Sequence, residues 1–222
     1  MKKLILLVTI TCVTSSAFAQ DWANLERFKG GNSSIMQEVN TGKRIVFMGN
    51  SISEGWSNFD SIFFSKNQFI NRGIGGQTTP QMLLRFKQDV IDIKANTVII
   101  LAGINDIAEN TGPISLKQIL GNIISMCELA NQNNIRVILC SVLPANKFPW
   151  EPKITPTQKV IELNKMLLEY ANSKSITYVD YYSKMVDDKQ GLIPAYGYDP
   201  VQSNQEGYVV MKHILSEVLE IK

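Results

Sequence analysis

The ten residues at positions 97–106 read Thr-Val-Ile-Ile-Leu-Ala-Gly-Ile-Asn-Asp. The first six are apolar or β-branched, which is typical of a strand that is buried on both faces of a sheet. Gly103 ends this strand signal, and Asn105 and Asp106 follow closely. The order predicts a central strand that delivers polar side chains to one edge of a sheet, where ligands bind in folds of this kind.

Strand and helix signals alternate along the rest of the chain. The other strand signals occupy residues 44–48, 68–71, 135–143 and 176–181. Amphipathic helical patterns occupy residues 79–91, 115–130, 157–171 and 204–219. Because such alternation implies parallel strands joined by crossover helices, the sequence predicts an α/β fold. We expect a flavodoxin-like three-layer α/β/α sandwich with about five parallel strands.

Composition limits the kinds of partner that the chain can have. It contains 222 residues, with 22 Lys and Arg against 20 Asp and Glu. The hydrophobic fraction of 45% is that of an ordinary globular domain, and the length suits one domain with a well-buried core. Because nucleic-acid binding needs a clustered basic surface, the near-zero net charge argues against nucleic acid as the main partner.

Residues 1–19 have the pattern of a secretory signal peptide. A short basic start precedes an apolar stretch at residues 4–13, and Ala17 and Ala19 supply the small residues that a signal peptidase recognises. This predicts a single domain at residues 20–222 in an exported protein, either periplasmic or extracellular. The alternative is a buried N-terminal strand. The apolar stretch is too short for a stable membrane anchor.

The cysteines and the single histidine give no sign of a metal site. Cys127 falls in a helical pattern and Cys140 at the end of a strand pattern, and neither belongs to a cysteine–histidine cluster. They can form one bridge in an oxidising compartment or remain two buried thiols, and we favour the thiols. No strand signal is followed by the Gly-x-Gly-x-x-Gly spacing of a dinucleotide site. We expect neither a metal nor a cofactor.

Side chains that can perform chemistry follow the strand signals in four places. They are Gly-Asn-Ser at 49–51, a glycine-rich stretch at 71–79, Gly-Ile-Asn-Asp at 103–106 and Asp-Pro-Val-Gln-Ser-Asn at 199–204. Since the carboxyl ends of parallel strands meet at one edge of a sheet, we expect the four stretches to lie together. A hydroxyl, glycine amides, a side-chain amide and a carboxylate are the groups that an acyl-transfer enzyme needs.

In this order, the four stretches resemble the sequence blocks of the SGNH hydrolases, also called GDSL esterases and lipases. The resemblance covers nearly all of the chain beyond the signal peptide. It implies a serine esterase for small acyl esters, such as acetyl groups on carbohydrate. It also implies that Ser51 is the nucleophile and that the amides of Ser51 and Gly76 and the side chain of Asn105 form the oxyanion hole. Asp199 matches the acid that orients the catalytic base.

The position of the base departs from the family pattern. Gln202 stands where the family has histidine, and Ser203 stands where proline usually follows. An amide takes up no proton near neutral pH, so Gln202 cannot act as general base toward Ser51, although it can form hydrogen bonds. His213 is the only candidate replacement, and its place in the helical pattern is on the solvent side.

Two hypotheses remain for the function. The first is an exported serine esterase whose activity is impaired by Gln202. The second is an inactive binding module that recognises an acylated glycan or lipid through the same pocket.

Four other residues have more than one interpretation. Trp56 and Trp150 either line a substrate cleft or belong to the core. Glu54 is easier to explain as structural than as a replacement base. For Asp106 we favour a cap of the segment that follows it.

Overall fold

The structure is a computed structural model that describes residues 21–40 and 43–221. The predicted signal peptide at residues 1–19 lies outside these ranges. Among the helices within them, none combines the length and the apolar character of a membrane span.

One sheet of five parallel strands forms the centre of the molecule. Its strands are β1 Ile45–Gly49, β2 Ile70–Gly73, β3 Thr97–Leu101, β4 Arg136–Cys140 and β5 Thr177–Val179, in the order β2-β1-β3-β4-β5. This confirms the predicted number and direction of the strands. The order changes direction between β1 and β3, which creates a binding crevice at their carboxyl ends.

Helices cover both faces of the sheet and complete the predicted α/β/α sandwich. In the described part of the chain they are α1 Lys29–Gln37, α2 Ser51–Phe59, α3 Ser61–Lys66, α4 Thr79–Phe86, α5 Ile104–Ile107, α6 Leu116–Gln132, α7 Thr157–Lys174, α8 Tyr182–Met185 and α9 Gln205–Leu219. A π-helical turn at Lys87–Ile91 continues α4, and a short 3₁₀ helix covers Pro194–Tyr196. All four predicted helices are therefore present.

The strands bury both of their faces, in two separate cores. On one face, Val98 and Ile100 of β3 join a cluster with buried residues of α4, α6 and α7. On the other face, Ile99 and Leu101 join a cluster with buried residues of α2, α3 and α9. This arrangement explains why every residue of β3 is apolar or β-branched.

Several strand boundaries differ from the prediction, by at most three residues, and two of these differences have clear local causes. β2 begins at Ile70 instead of residue 68, because Gln68 adopts a left-handed turn with φ of 55°. β4 ends at Cys140 instead of residue 143, because the backbone amide and carbonyl of Val142 form hydrogen bonds with the Asn164 side chain instead of with a neighbouring strand. Asn164 Oδ1 accepts from the Val142 amide at 2.7 Å, and its Nδ2 donates to the Val142 carbonyl at 2.9 Å.

The two cysteines within the described ranges are free thiols on opposite faces of the sheet. Cys127 belongs to the core under α6 and α7, and Cys140 belongs to the core under α2 and α9. Burial raises the pKa of each thiol to about 12. Neither thiol is therefore a nucleophile near neutral pH.

Candidate active site

Ser51 and Gln202 meet at the carboxyl edge of the sheet. Ser51 is the first residue of α2, directly after β1, and Gln202 lies in the loop that precedes α9. Although 151 positions separate them, Gln202 Nε2 donates a hydrogen bond to Ser51 Oγ at 2.8 Å. The structure thus brings the residue at the base position into direct contact with the serine hydroxyl.

The backbone around Ser51 is tightly packed. The Asn50 side chain, which is buried, caps α2 by accepting from the Ile52 amide at 3.0 Å. A side chain at Gly49 would approach Ser53 Oγ to 2.1 Å and the Leu101 carbonyl to 2.9 Å. Glycine is therefore needed where β1 turns into α2. The Ser51 amide lies at the N-terminus of α2, where the backbone N–H groups of a helix have no partner within the helix.

The glycine-rich loop between β2 and α4 faces Ser51. A Cβ at Gly73 would overlap the Glu54 amide at 2.1 Å, which shows how closely this loop packs against α2. Gly76 has a φ of 74°, in the left-handed region that favours glycine. Within the described ranges, the Gly76 amide donates to no acceptor, which leaves it available to a ligand.

Asn105 is held beside the same loop. Gly103, with a φ of 119°, starts the short helix α5 that carries Asn105. The Asn105 side chain is buried, and its Nδ2 donates to the carbonyl of Gln77 at 3.0 Å. Because an amide group has two N–H donors, one of them is left after this contact is made.

Asp106 caps a different helix from the one expected. Both carboxylate oxygens accept from the Thr79 amide at 3.0 Å, and Oδ1 also accepts from Thr79 Oγ1 at 2.5 Å. The prediction that Asp106 caps its own following segment is therefore wrong: it stabilises the start of α4, which follows the glycine-rich loop. Burial raises the pKa of Asp106 to about 6, against hydrogen bonds from Thr79 that lower it.

Asp199 organises the turn that carries Gln202. Its Oδ1 accepts from the Val201 amide at 2.7 Å and from the Gln202 amide at 2.8 Å. The Tyr198 amide donates to the Gln202 carbonyl at 2.9 Å, which closes the turn. Asp199 therefore fixes the backbone of Gln202, while the Gln202 side chain is free to bond to Ser51.

The two tryptophans have different environments. Trp56 is 1% exposed and packs among Phe47, Phe63 and Tyr208. A buried ring cannot contact a substrate, so the cleft interpretation is wrong for Trp56. Trp150 is 46% exposed, and its Nε1 donates to Asn110 Oδ1 at 3.3 Å. Since Asn110 Nδ2 donates to the Gly76 carbonyl at 3.2 Å, Trp150 lies beside the glycine-rich loop.

His213 has no part in this arrangement. Its side chain is 79% exposed on α9, and Nε2 lies 3.3 Å from Glu217 Oε1, one turn along the same helix. The solvent-facing position predicted for His213 is therefore confirmed. In the described part of the chain, no cluster of histidine, cysteine and acidic residues could hold a metal.

A buried arginine, which the sequence did not predict, links the serine turn to the glycine-rich loop. Arg85 of α4 is fully buried. Its Nη2 donates to the Gly49 carbonyl at 3.1 Å, its Nε to Gln77 Oε1 at 2.6 Å and its Nη1 to Asp89 Oδ2 at 3.0 Å. The signal that could have revealed it is its spacing, because Arg85 lies three residues after Met82 on the apolar stripe of α4.

Comparisons with known proteins agree with the overall fold. The model of the GDSL-like lipase/acylhydrolase family matches residues 47–210. The structure of a GDSL-like lipase from Bacteroides thetaiotaomicron VPI-5482 shares 45% sequence identity and superposes with a TM-score of 0.87, over 89% of this chain and 98% of its own. A second structure, from Bacteroides fragilis NCTC 9343, shares 47% identity at a TM-score of 0.88, over 90% and 98% of the two chains.

A shorter similarity extends to a lipoprotein. The chain is 36% identical over 78 residues to the uncharacterized lipoprotein YqeF of Bacillus subtilis (strain 168). The match covers 34% of this chain and 32% of the lipoprotein, so the chain spans about a third of that relative.

Proposed function

We propose an activity from the premise that this chain belongs to the GDSL-like lipase/acylhydrolase family. Ser51 is the nucleophile, and the oxyanion donors are the amides of Ser51 and Gly76 with the side chain of Asn105. Asp199 is the acid of the base loop, although Gln202 occupies the position of the base. The observation that carries the proposal is the 2.8 Å hydrogen bond from Gln202 Nε2 to Ser51 Oγ, because it joins nucleophile and base position at the correct edge of the sheet.

The contact also determines what the site can do with a proton. For Ser51 Oγ to form a bond to an ester carbonyl carbon, its hydroxyl proton must leave, and a general base normally accepts it. The Gln202 amide instead donates to Oγ and takes up no proton. The oxyanion donors can still stabilise the charge of the tetrahedral intermediate. With solvent water taking the Ser51 proton in place of a base, we expect an esterase that forms its acyl intermediate slowly and hydrolyses it more slowly still, because the attacking water also needs a base.

The substrates that we propose are small acyl esters, with acetyl groups on carbohydrate as the main class. Trp150 supports this class, because a half-exposed indole beside the oxyanion loop offers a flat apolar surface to a sugar ring. We also propose that the protein is exported, on the basis of its N-terminal sequence and its partial similarity to a lipoprotein.

A binding module for an acylated glycan or lipid is the second candidate. The same contact favours it, because a hydroxyl that accepts a hydrogen bond from an amide is held in place without being activated. Under this alternative the pocket recognises the acyl group and does not break the ester bond.

Reaction with p-nitrophenyl acetate separates the two candidates. Its phenolate leaves without needing a proton, whereas hydrolysis of the acyl-enzyme requires a base to activate water. An impaired esterase should therefore release a burst of about one equivalent of p-nitrophenolate per protein, followed by slow turnover. Mass spectrometry should locate the acetyl group on Ser51, and Ser51→Ala should show neither burst nor adduct. A parent protein without burst or adduct would refute the esterase and leave the binding module.

A further inference from the structure

Glu54 connects the helix that carries the nucleophile to the glycine-rich loop. It lies one helical turn after Ser51 in α2, and its Oε2 accepts from the Gly75 amide at 2.7 Å. A Cβ at Gly75 would lie 3.0 Å from this carboxylate oxygen and 3.8 Å from Ser51 Cβ. The carboxylate therefore bonds to the loop next to Ser51, one residue before Gly76.

The N-terminal segment supplies the second contact of Glu54. Arg27 Nη2 forms an ion pair with Glu54 Oε1 at 3.0 Å. Each carboxylate oxygen thus has its own partner, one in the loop and one in the segment that precedes α1. This pairing explains why Glu54 is a poor replacement base: both of its oxygens already accept hydrogen bonds from N–H donors.

The same N-terminal segment contacts the loop at a second point. Gln77 Nε2 donates to the Ala23 carbonyl at 2.8 Å, while Gln77 Oε1 accepts from Arg85. The Gln77 carbonyl in turn accepts from Asn105. Arg27 is therefore linked through Glu54 to Gly75, the residue before Gly76, and Ala23 bonds directly to Gln77, the residue after it.

We infer that Glu54, paired with Arg27, is a positioning residue for the oxyanion hole. This inference rests on the proposed function, because it assigns Glu54 a role in placing the Gly76 donor. By holding the Gly75 amide, Glu54 fixes the loop backbone so that the Gly76 N–H points to the place where the negative charge develops. Arg27 balances the charge of a carboxylate that would otherwise oppose an oxyanion nearby.

The test combines amide exchange with kinetics. In Glu54→Ala, hydrogen exchange of the Gly75 amide should accelerate about fivefold, as expected for the loss of one hydrogen bond. In a Gln202→His background, Glu54→Ala should lower kcat for p-nitrophenyl acetate about tenfold with little change in KM, because the donor acts on the transition state. Glu54→Gln should restore most of kcat, since its amide oxygen still accepts from Gly75.

Lys29→Ala is the matched control. It removes an exposed ion pair between Lys29, the first residue of α1, and Glu26 of the same N-terminal segment, at 2.9 Å, which does not reach the loop. Exchange and kcat should both stay at the level of the background protein. If Glu54→Ala does not fold, Arg27→Ala replaces it, because that side chain is 56% exposed, and a smaller fall in kcat is expected.

Two results would overturn the inference. One is an unchanged exchange rate at Gly75 in Glu54→Ala. The other is an unchanged kcat in that variant when the Gln202→His background is active. Failure of the proposed function looks different, because Gln202→His would then itself lack esterase activity.

Discussion

The two halves of the site are held in different ways. On the side of the proposed oxyanion hole, which we call the oxyanion side, the loop around Gly76 is bonded into the interior, since Gln77 contacts the buried Arg85 and the following helix is capped by the buried Asp106. On the base side, Gln202 sits on a single turn that is closed by Asp199. In the mechanism that we propose, stabilisation of charge thus depends on groups that are bonded into the fold, whereas proton transfer depends on one side chain of a surface turn. One substitution on that turn can remove the base and leave the rest of the site in place.

The largest effect should come from restoring the base. We predict that Gln202→His raises esterase turnover about 10²–10⁴-fold, the usual contribution of a positioned proton acceptor. The Gln202 side chain already reaches Ser51 Oγ, so an imidazole at this position lies near the hydroxyl. The gain should be lost toward acid pH, because an imidazole with a pKa near 6.5 becomes protonated and can no longer accept the Ser51 proton.

The controls for this prediction separate the turn from the base. Gln202→His with Ser51→Ala should be inactive, and His213→Ala should change nothing, because His213 lies exposed on α9. Ser203 stands where the family usually has proline, so Gln202→His with Ser203→Pro tests whether the turn holds the imidazole in line. If the single and the double variant both remain as slow as the parent, the turn that carries Gln202 differs from that of an active esterase in more than the missing histidine and proline.

The oxyanion side should show the next largest effect. In the Gln202→His background, we predict that Asn105→Ala lowers kcat about 10²–10³-fold, the cost of removing one oxyanion donor. Asn122→Ala is the matched control, since Asn122 Nδ2 donates to Thr79 Oγ1 at 3.0 Å and has no contact with Ser51 or Gly76 among the described residues. Equal losses in the two variants would mean that Asn105 acts through stability alone.

The same contrast explains what the sequence could and could not predict. The five strands and the four main helices follow from local periodicity, because a sheet buried on both faces requires continuous apolar runs such as that of β3. The site blocks follow from topology, since polar residues after parallel strands meet at one edge. Ser51, Asn105 and Gln202 could therefore be grouped from the sequence alone.

The supports of the oxyanion side could not be predicted in this way. Helix α1 contains two adjacent glycines and few apolar residues, so it has no periodic signal. It is held by contacts across the chain, such as that from Asn32 Nδ2 to Asp89 Oδ1, 57 positions away. Asp106 likewise bonds to Thr79, 27 positions earlier, rather than to its own helix. Long-range hydrogen bonds between polar side chains leave no local pattern.

The pH dependence of stability should expose the buried acid on the oxyanion side. Asp106 has a folded-state pKa of about 6, raised by burial from an ordinary value of 3.8. Between these values the folded state binds more protons than the unfolded state, so this group's contribution is fully present below pH 3.8 and is lost as pH rises through about 6. The difference corresponds to a stability change on the order of 3 kcal/mol.

Urea unfolding of the parent and of Asp106→Asn, measured at several pH values from 4 to 8, checks this prediction. The stability of the parent relative to Asp106→Asn should fall as pH rises from 4 to 6 and level off above that range. A constant difference between the two proteins would show that Asp106 does not titrate in this window.

The smallest effect concerns the backbone of the oxyanion loop. A Cβ would meet nothing within 4 Å at either Gly76 or Gly121, so steric contacts do not distinguish the two positions. They differ in backbone conformation, because Gly76 has a φ of 74°, whereas Gly121 lies within α6. An L-residue in the left-handed region costs about 1–2 kcal/mol, while alanine in a helix interior is favoured over glycine by about 0.5–1 kcal/mol. We therefore predict that Gly76→Ala lowers and Gly121→Ala raises the free energy of unfolding, each by about 1 kcal/mol, measured by urea denaturation at one pH. Stabilisation by both substitutions would mean that the loop leaves its left-handed conformation at little cost in free energy. The oxyanion side would then be no more rigid than the turn that carries Gln202.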